Sequence, residues 1–143
     1  MITFSRSEDY AVILVQSLAK AYNKRLVPIS EVAKEYNISL LFLRNLAAEL
    51  RQAGVIKAVE GKHGGYFLTK SPDEMKMGEI LSIFEKDQGA TCCPPDKSSA
   101  DKRVCPKPGS CAAGNVWRKL NQEFLDKIYN LSLKEFLDYK DNK

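Results

Sequence analysis

All four cysteines of the chain lie between Thr91 and Cys111, in the segment TCCPPDKSSADKRVCPKPGSC. The same segment holds four of the six prolines, and Ser, Lys and Asp fill much of the remainder. Such a stretch has too few apolar side chains for a core, and its prolines interrupt both helices and strand ladders. The core must therefore be built from the residues before it and after it, with the thiols gathered at the joint.

At 143 residues the chain is one domain, or one domain with an appended arm. A chain of this size folds without disulfides. No apolar run reaches transmembrane length, and MITFSRSEDY does not read as a signal peptide. The expected compartment is the reducing cytoplasm. There, four cysteines in one short segment point to metal or redox chemistry rather than to structural cross-links. A disulfide knot in a secreted protein is the competing reading. Net charge is +4, with five Lys or Arg against two Glu between Leu40 and Lys70 and a near balance beyond Leu120. A locally basic half fits a polyanion partner, although charge alone fits a solvated surface equally well.

Ser5 and Glu8 make a capping-box pattern at the head of a helix that should run to about Asn23, with Tyr10, Ile13, Leu14, Leu18 and Ala21 on one face. Ser30 can cap a short second helix over EVAKEY, and Asn37 suits the turn after it. Ser39 can cap a third helix to about Gln52, with Gly54 at its C-terminal end. Leu43, Leu46, Ala47 and Leu50 follow the i, i+3, i+4, i+7 spacing of a buried face. Arg44, Ala48 and Arg51 fall on the opposite side, flanked by Leu40, Leu41 and Asn45. Two helices joined by a short turn, the second with outward arginines, form a helix-turn-helix pattern.

VIKAV then alternates as a strand does, EGKHGG is turn chemistry, and YFLTK is a second strand. The expected fold is mainly α with a small β-hairpin wing: a winged helix-turn-helix followed by a long C-terminal dimerisation helix. The head of the third helix should enter a major groove. Ser39 can bond a phosphate, and Leu41, Arg44 and Asn45 are candidate readers. Arg44 is placed to pair with guanine, unless it is held in a surface ion pair with an acid such as Glu49. Arg51 suits a phosphate. In the wing, Lys62 and His63 are phosphate or minor-groove candidates at a tip where Gly64 lets backbone approach DNA; Gly64 and Gly65 also read as structural. Tyr66 and Phe67 alternate, so one should pack inward.

Ser71-Pro72-Asp73-Glu74 reads as a helix start, with Met77, Ile80, Leu81 and Phe84 as the buried stripe and Gly89 as the stop. A long helix should span Ala112 to about Asn130 with a wide apolar surface over Val116, Trp117, Leu120, Phe124, Leu125 and Ile128, enough to serve a partner subunit too. Ser132 to Glu135 is another capping box, opening a short last helix. The units are thus a DNA-binding domain over 1–70, a connecting helix over 71–90, a cysteine segment over 91–111, and a dimerisation helix with a short final helix over 112–143.

Three stretches carry a family resemblance: EDYAVILVQSLA, ISLLFLRNLAAELRQAGVIKAVEGKHGGYFLTK and CAAGNVWRKLNQEFLDKIYNLSLKEFL. Through them the chain resembles the Rrf2 family of bacterial transcription regulators over nearly its whole length. The resemblance implies a homodimer that binds double-stranded operator DNA. In many members it also implies an iron–sulfur cluster, [4Fe-4S] or [2Fe-2S], on three cysteines before the dimer helix. In one branch an N-terminal acidic residue of the other subunit is the fourth ligand. Carried onto this sequence, Cys105 and Cys111 keep the family's C-x5-C spacing, and Trp117 keeps its offset. The gap from Cys93 to Cys105 is longer than usual. Gly114 stands where one branch has a histidine ligand, so that ligand is not available from this segment.

Thiolates are soft donors that suit iron–sulfur clusters, zinc or copper(I). Adjacent cysteines seldom serve one small site together, and counted from the preceding helix Cys93 takes the family position better than Cys92, so the resemblance makes Cys93, Cys105 and Cys111 the expected ligands. Cys92 is a spare, a fourth ligand or a resolving thiol. Asp9 matches the acidic-ligand position, with Glu8 beside it as the alternative; either could instead simply favour the helix dipole. A closed four-cysteine zinc site fits less well, because its usual paired spacings are absent. The expected function is a DNA-binding regulator sensing redox state, nitric oxide or iron–sulfur supply. The alternatives are a metal-free thiol switch on the same DNA-binding frame and an iron–sulfur carrier with no DNA role. No nucleophile–base pair or phosphate-cradling loop supports an enzyme.

Overall fold

The computed structural model describes residues 4–84 and 112–139. Six helices and one hairpin follow in the order α1 (Arg6–Lys20), α2 (Ile29–Tyr36), α3 (Leu40–Gln52), β1 (Ile56–Val59), β2 (Gly65–Leu68), α4 (Met77–Phe84), α5 (Ala112–Asn130) and α6 (Leu133–Asp138). Helix α1 runs beneath α3, β2 and α4 and supplies the floor of the core. Its entry is fixed by a reciprocal cap: the Ser5 N–H donates to Glu8 Oε2 at 2.6 Å, and the Glu8 N–H donates to Ser5 Oγ at 3.2 Å. The buried face is broader than the apolar stripe implied, taking in Ala11 and Val15 beside Leu14 and Leu18, while Tyr10 and Ile13 are half-buried. The helix stops at Lys20 rather than near Asn23, because residues 21–24 form a tight turn with Asn23 at φ 57°.

Helix α2 begins at Ile29, with Pro28 and not Ser30 at the cap position, so Ser30 lies inside the first turn. The cause is a distant pairing. Val27 and Tyr66 exchange backbone hydrogen bonds at 3.1 and 2.8 Å, which keeps the chain extended up to Pro28. Asn37, at φ 53°, ends α2 in the left-handed conformation that Asn adopts at low cost. Ser39 caps α3 as the sequence implies, its Oγ accepting the Phe42 N–H at 3.4 Å. Leu43, Leu46, Ala47 and Leu50 are all buried. Burial of each such leucine side chain contributes roughly 1.5–3 kcal/mol.

The hairpin is antiparallel, pairing Ile56 with Leu68 and Val59 with Gly65. Leu68 is buried and Tyr66 packs against the core, so Tyr66 is the inward aromatic of the 66–67 pair. Ser71 does not open α4. Its carbonyl accepts the Glu74 and Met75 N–H groups at 3.0 Å in a separate turn, and Met75 then leaves helical geometry to accept the Leu133 N–H at 2.7 Å. The Met77 N–H donates to Leu131 at 2.9 Å, which ties the start of α4 to the α5–α6 junction. The proposed stop at Gly89 lies outside the described residues. Close packing at Gly78 completes the joint: a Cβ there would stand 3.1 Å from Tyr129.

Candidate nucleic-acid interface

The residues facing away from the core on α3 form one continuous surface. Leu41, Arg44, Asn45 and Ala48 are exposed at i, i+3, i+4 and i+7, opposite the buried set. Leu41 is 69% exposed, although Leu40 and Phe42 on either side of it pack against the core. Among the described residues Arg44 has no ion pair with Glu49 or any other acid, so its guanidinium is available to a ligand. Ser39 stands exposed at the head of the helix, and Arg51 is exposed at its far end.

The wing tip carries Lys62 and His63, both exposed. Gly64 is fixed by space: a Cβ there would lie 2.0 Å from the Val59 carbonyl oxygen. Gly65 is fixed by the Val27 crossing, where a Cβ would approach backbone atoms at 2.8–2.9 Å. Both glycines therefore have a structural reason to be there; the tip's polar side chains are Glu60, Lys62 and His63, of which Lys62 and His63 are the ones suited to a polyanion.

Sequence reasoning missed the contribution of α1. Its first turns cross the head of α3, and the Tyr10 and Phe42 rings meet edge to face there. Beside that contact opens a cleft of about 410 Å³, walled by Arg6 and Tyr10 from α1 and by Ser39, Leu41, Phe42 and Asn45 from the α3 side. No periodicity or motif could show this, because it arises only from how two helices cross.

Of the candidate metal ligands, Cys92, Cys93, Cys105 and Cys111 lie outside the described residues. Glu8 is buried with its carboxylate in the α1 cap, whereas Asp9, one residue on, is exposed. Among the described residues no three His, Cys, Asp or Glu side chains come together. No described helix is long and apolar enough to cross a membrane.

A helix-turn-helix with an outward row of Leu, Arg and Asn, followed by a glycine-tipped hairpin, defines a winged-helix DNA-binding regulator. The chain belongs to the Rrf2 family, described as iron-dependent transcriptional regulators, whose profile matches residues 4–139. It is a family of regulators and not of enzymes. The HTH-type transcriptional regulator IscR of Aliivibrio salmonicida is 30% identical over 128 residues, covering 90% of this chain and 73% of that one. Among solved structures, T. potens IscR superposes with a TM-score of 0.72 at 25% identity, covering 99% of this chain and 89% of the other. The oxidized form of Staphylococcus aureus CymR gives 0.73 at 26% identity, covering 94% and 95%.

Proposed function

We propose that this protein is a homodimeric transcription regulator whose operator affinity is set by a cysteine-held iron–sulfur cluster. The observation that carries the reading is the position of the thiols. All four precede α5 in the chain, and Cys111 is the residue before its first, Ala112. Along α5 the side chains of Val116, Trp117, Leu120 and Phe124 are between 43% and 58% exposed. That is a large apolar stripe to leave in water, and a second copy of the helix would cover it.

The donor set fits the cluster chemically. Cys93, Cys105 and Cys111 would supply three soft thiolates, and Cys92 is a fourth thiol in the same segment. Asp9 fits a fourth-ligand role better than Glu8, whose carboxylate already closes the α1 cap. When bound, a cluster supplies a tie between these donors that oxidants, nitric oxide or iron shortage can break. The chain's own part is to convert that tie into the spacing of two α3 helices. A bound group shifts such an equilibrium only by favouring one arrangement over the other.

A metal-free thiol switch is the second reading, and the likeness to an oxidized form of CymR favours it. One anaerobic preparation separates the two. Iron, sulfide and the visible spectrum are measured, followed by footprinting on the protein's own promoter DNA before and after cluster removal. The cluster reading expects a chromophore that Cys93→Ser, Cys105→Ser and Cys111→Ser each abolish, together with a change in operator affinity. Protein free of iron and sulfide that forms a reversible disulfide would replace it with the thiol switch. A chromophore with no sequence-specific DNA binding would point to a carrier.

A further inference from the structure

The cleft between α1 and the head of α3 holds a feature that the arginine and asparagine readers do not explain. Leu41 is the one large apolar side chain on α3 that is exposed, yet it lies on the same face as Arg44 and Asn45, one turn before them. A lone leucine on a flat surface would need no explanation. This one lines a cleft whose other apolar walls include the Tyr10 and Phe42 rings, which meet with centroids 5.5 Å apart. Arg6 stands in the same wall, and none of the described residues lining the cleft is acidic. The site thus offers an apolar contact beside a cation, at the end of α3 that leads into the groove.

In the major groove only thymine among the four bases presents a methyl group, and apolar side chains recognise it by contact. Along a helix, four residues span about 6 Å, and a base-pair step is about 3.4 Å. Leu41 therefore meets a base pair one or two steps from the one that Asn45 meets. We propose that Leu41 reads a thymine through its 5-methyl group, while Arg6 holds the backbone phosphate that borders the cleft. The inference rests on the DNA-binding reading and sharpens it. Each half-site carries a thymine within about two steps of the base pair read by Arg44 and Asn45.

The test uses the full-length protein and the segment of its own promoter that it protects in a footprint. In synthetic duplexes of that segment each thymine is replaced in turn by deoxyuridine, which removes the methyl and leaves the pairing intact. Binding is followed by fluorescence anisotropy. The expected result is one thymine per half-site at which uracil weakens binding about three- to fivefold, the scale of one methyl contact. Leu41→Ala should bind the thymine and uracil duplexes equally, and Leu41→Met should restore the discrimination. Arg6→Gln should weaken every duplex alike and lower the salt slope by about one. A protected segment with no uracil-sensitive thymine, or a Leu41→Ala protein that still discriminates, overturns the proposal alone. Failure to protect any segment, with no salt-dependent binding, overturns the DNA-binding reading with it.

Discussion

The ring of Tyr10 meets the ring of Phe42 edge-on, with centroids 5.5 Å apart and planes at 87°. This contact fixes the first turns of α1 against the head of α3 and so sets the pitch at which α3 is presented. Edge-to-face pairs contribute about 0.5–1.5 kcal/mol beyond the area they bury. A double-mutant cycle of Tyr10→Leu and Phe42→Leu, followed by urea unfolding at fixed protein concentration, should return a coupling in that range. A coupling near zero would show that the rings contribute only as apolar bulk.

The wing depends on a bare backbone where β2 passes Val27. Gly65→Ala would drive a Cβ to within 2.9 Å of the Val27 backbone, which belongs to a paired and inflexible stretch. The expected loss is about 1–3 kcal/mol in thermal unfolding, as for other forced overpacking. Operator affinity should fall too, because Lys62 and His63 would be re-aimed. Gly78→Ala meets Tyr129 at 3.1 Å, a milder conflict that a small shift of α5 can absorb. Its destabilisation should be the smaller of the two, and a reversed order would refute this account of the Val27 crossing.

Which parts of this fold can be seen in the sequence follows from the range of the interactions that make them. The caps at Ser5–Glu8, Ser39 and Ser132–Glu135 are local, each closing over three residues, and all three form as their motifs imply. Ser30 and Ser71 show comparable local patterns and do not cap. At the first, the Val27–Tyr66 pairing holds the backbone extended only up to Pro28, so α2 starts at Ile29, ahead of Ser30; at the second, the turn that Ser71 opens is broken at Met75 and Lys76, where the Lys76–Ser132 bridge draws the backbone out of helical geometry before α4 begins. The buried row of α3 is visible because its 3.6-residue period is uninterrupted, and the exposed row with Arg44 and Asn45 follows from it. Arg6 and Tyr10 carried no such signal, because their relation to α3 exists only in the crossing. The four cysteines are legible as a donor set and through a resemblance, and they lie outside the described residues.

Glu135 gives the C-terminal unit a defined acid sensitivity. The Ser132 N–H donates to its carboxylate at 2.8 Å, and this bond with that of the Ser132 side chain holds the Glu135 pKa below its usual value. A carboxyl depressed in the folded state adds stability that is present above its unfolded pKa, about 4.3. That contribution is lost as pH falls through the lower folded value. Glu135→Gln keeps an acceptor for the Ser132 N–H but cannot titrate. Between pH 5 and pH 3 the wild type should therefore lose more thermal stability than this variant. Parallel melting curves across that range would show instead that the charge plays no part in the cap.

The final prediction concerns the outer face of α5. Its 19 residues extend about 28 Å. At the C-terminal end Ile128 and Tyr129 pack on the core, while toward the N-terminal end Val116, Trp117, Leu120 and Phe124 face outward. A helix anchored at one end and apolar along the other is suited to a symmetric partner, since the same stripe on a second copy is complementary to it. Trp117→Glu and Leu120→Glu place charges in that stripe at positions more than half exposed within the subunit. The subunit should therefore keep its helicity by circular dichroism, while sedimentation shows a dimer becoming a monomer. Operator affinity should fall steeply, because two linked half-site contacts become two independent ones. If both variants remained dimeric at micromolar concentration, the subunits would have to meet elsewhere, and the link drawn from the cysteine segment through α5 to the spacing of the two α3 helices would fail.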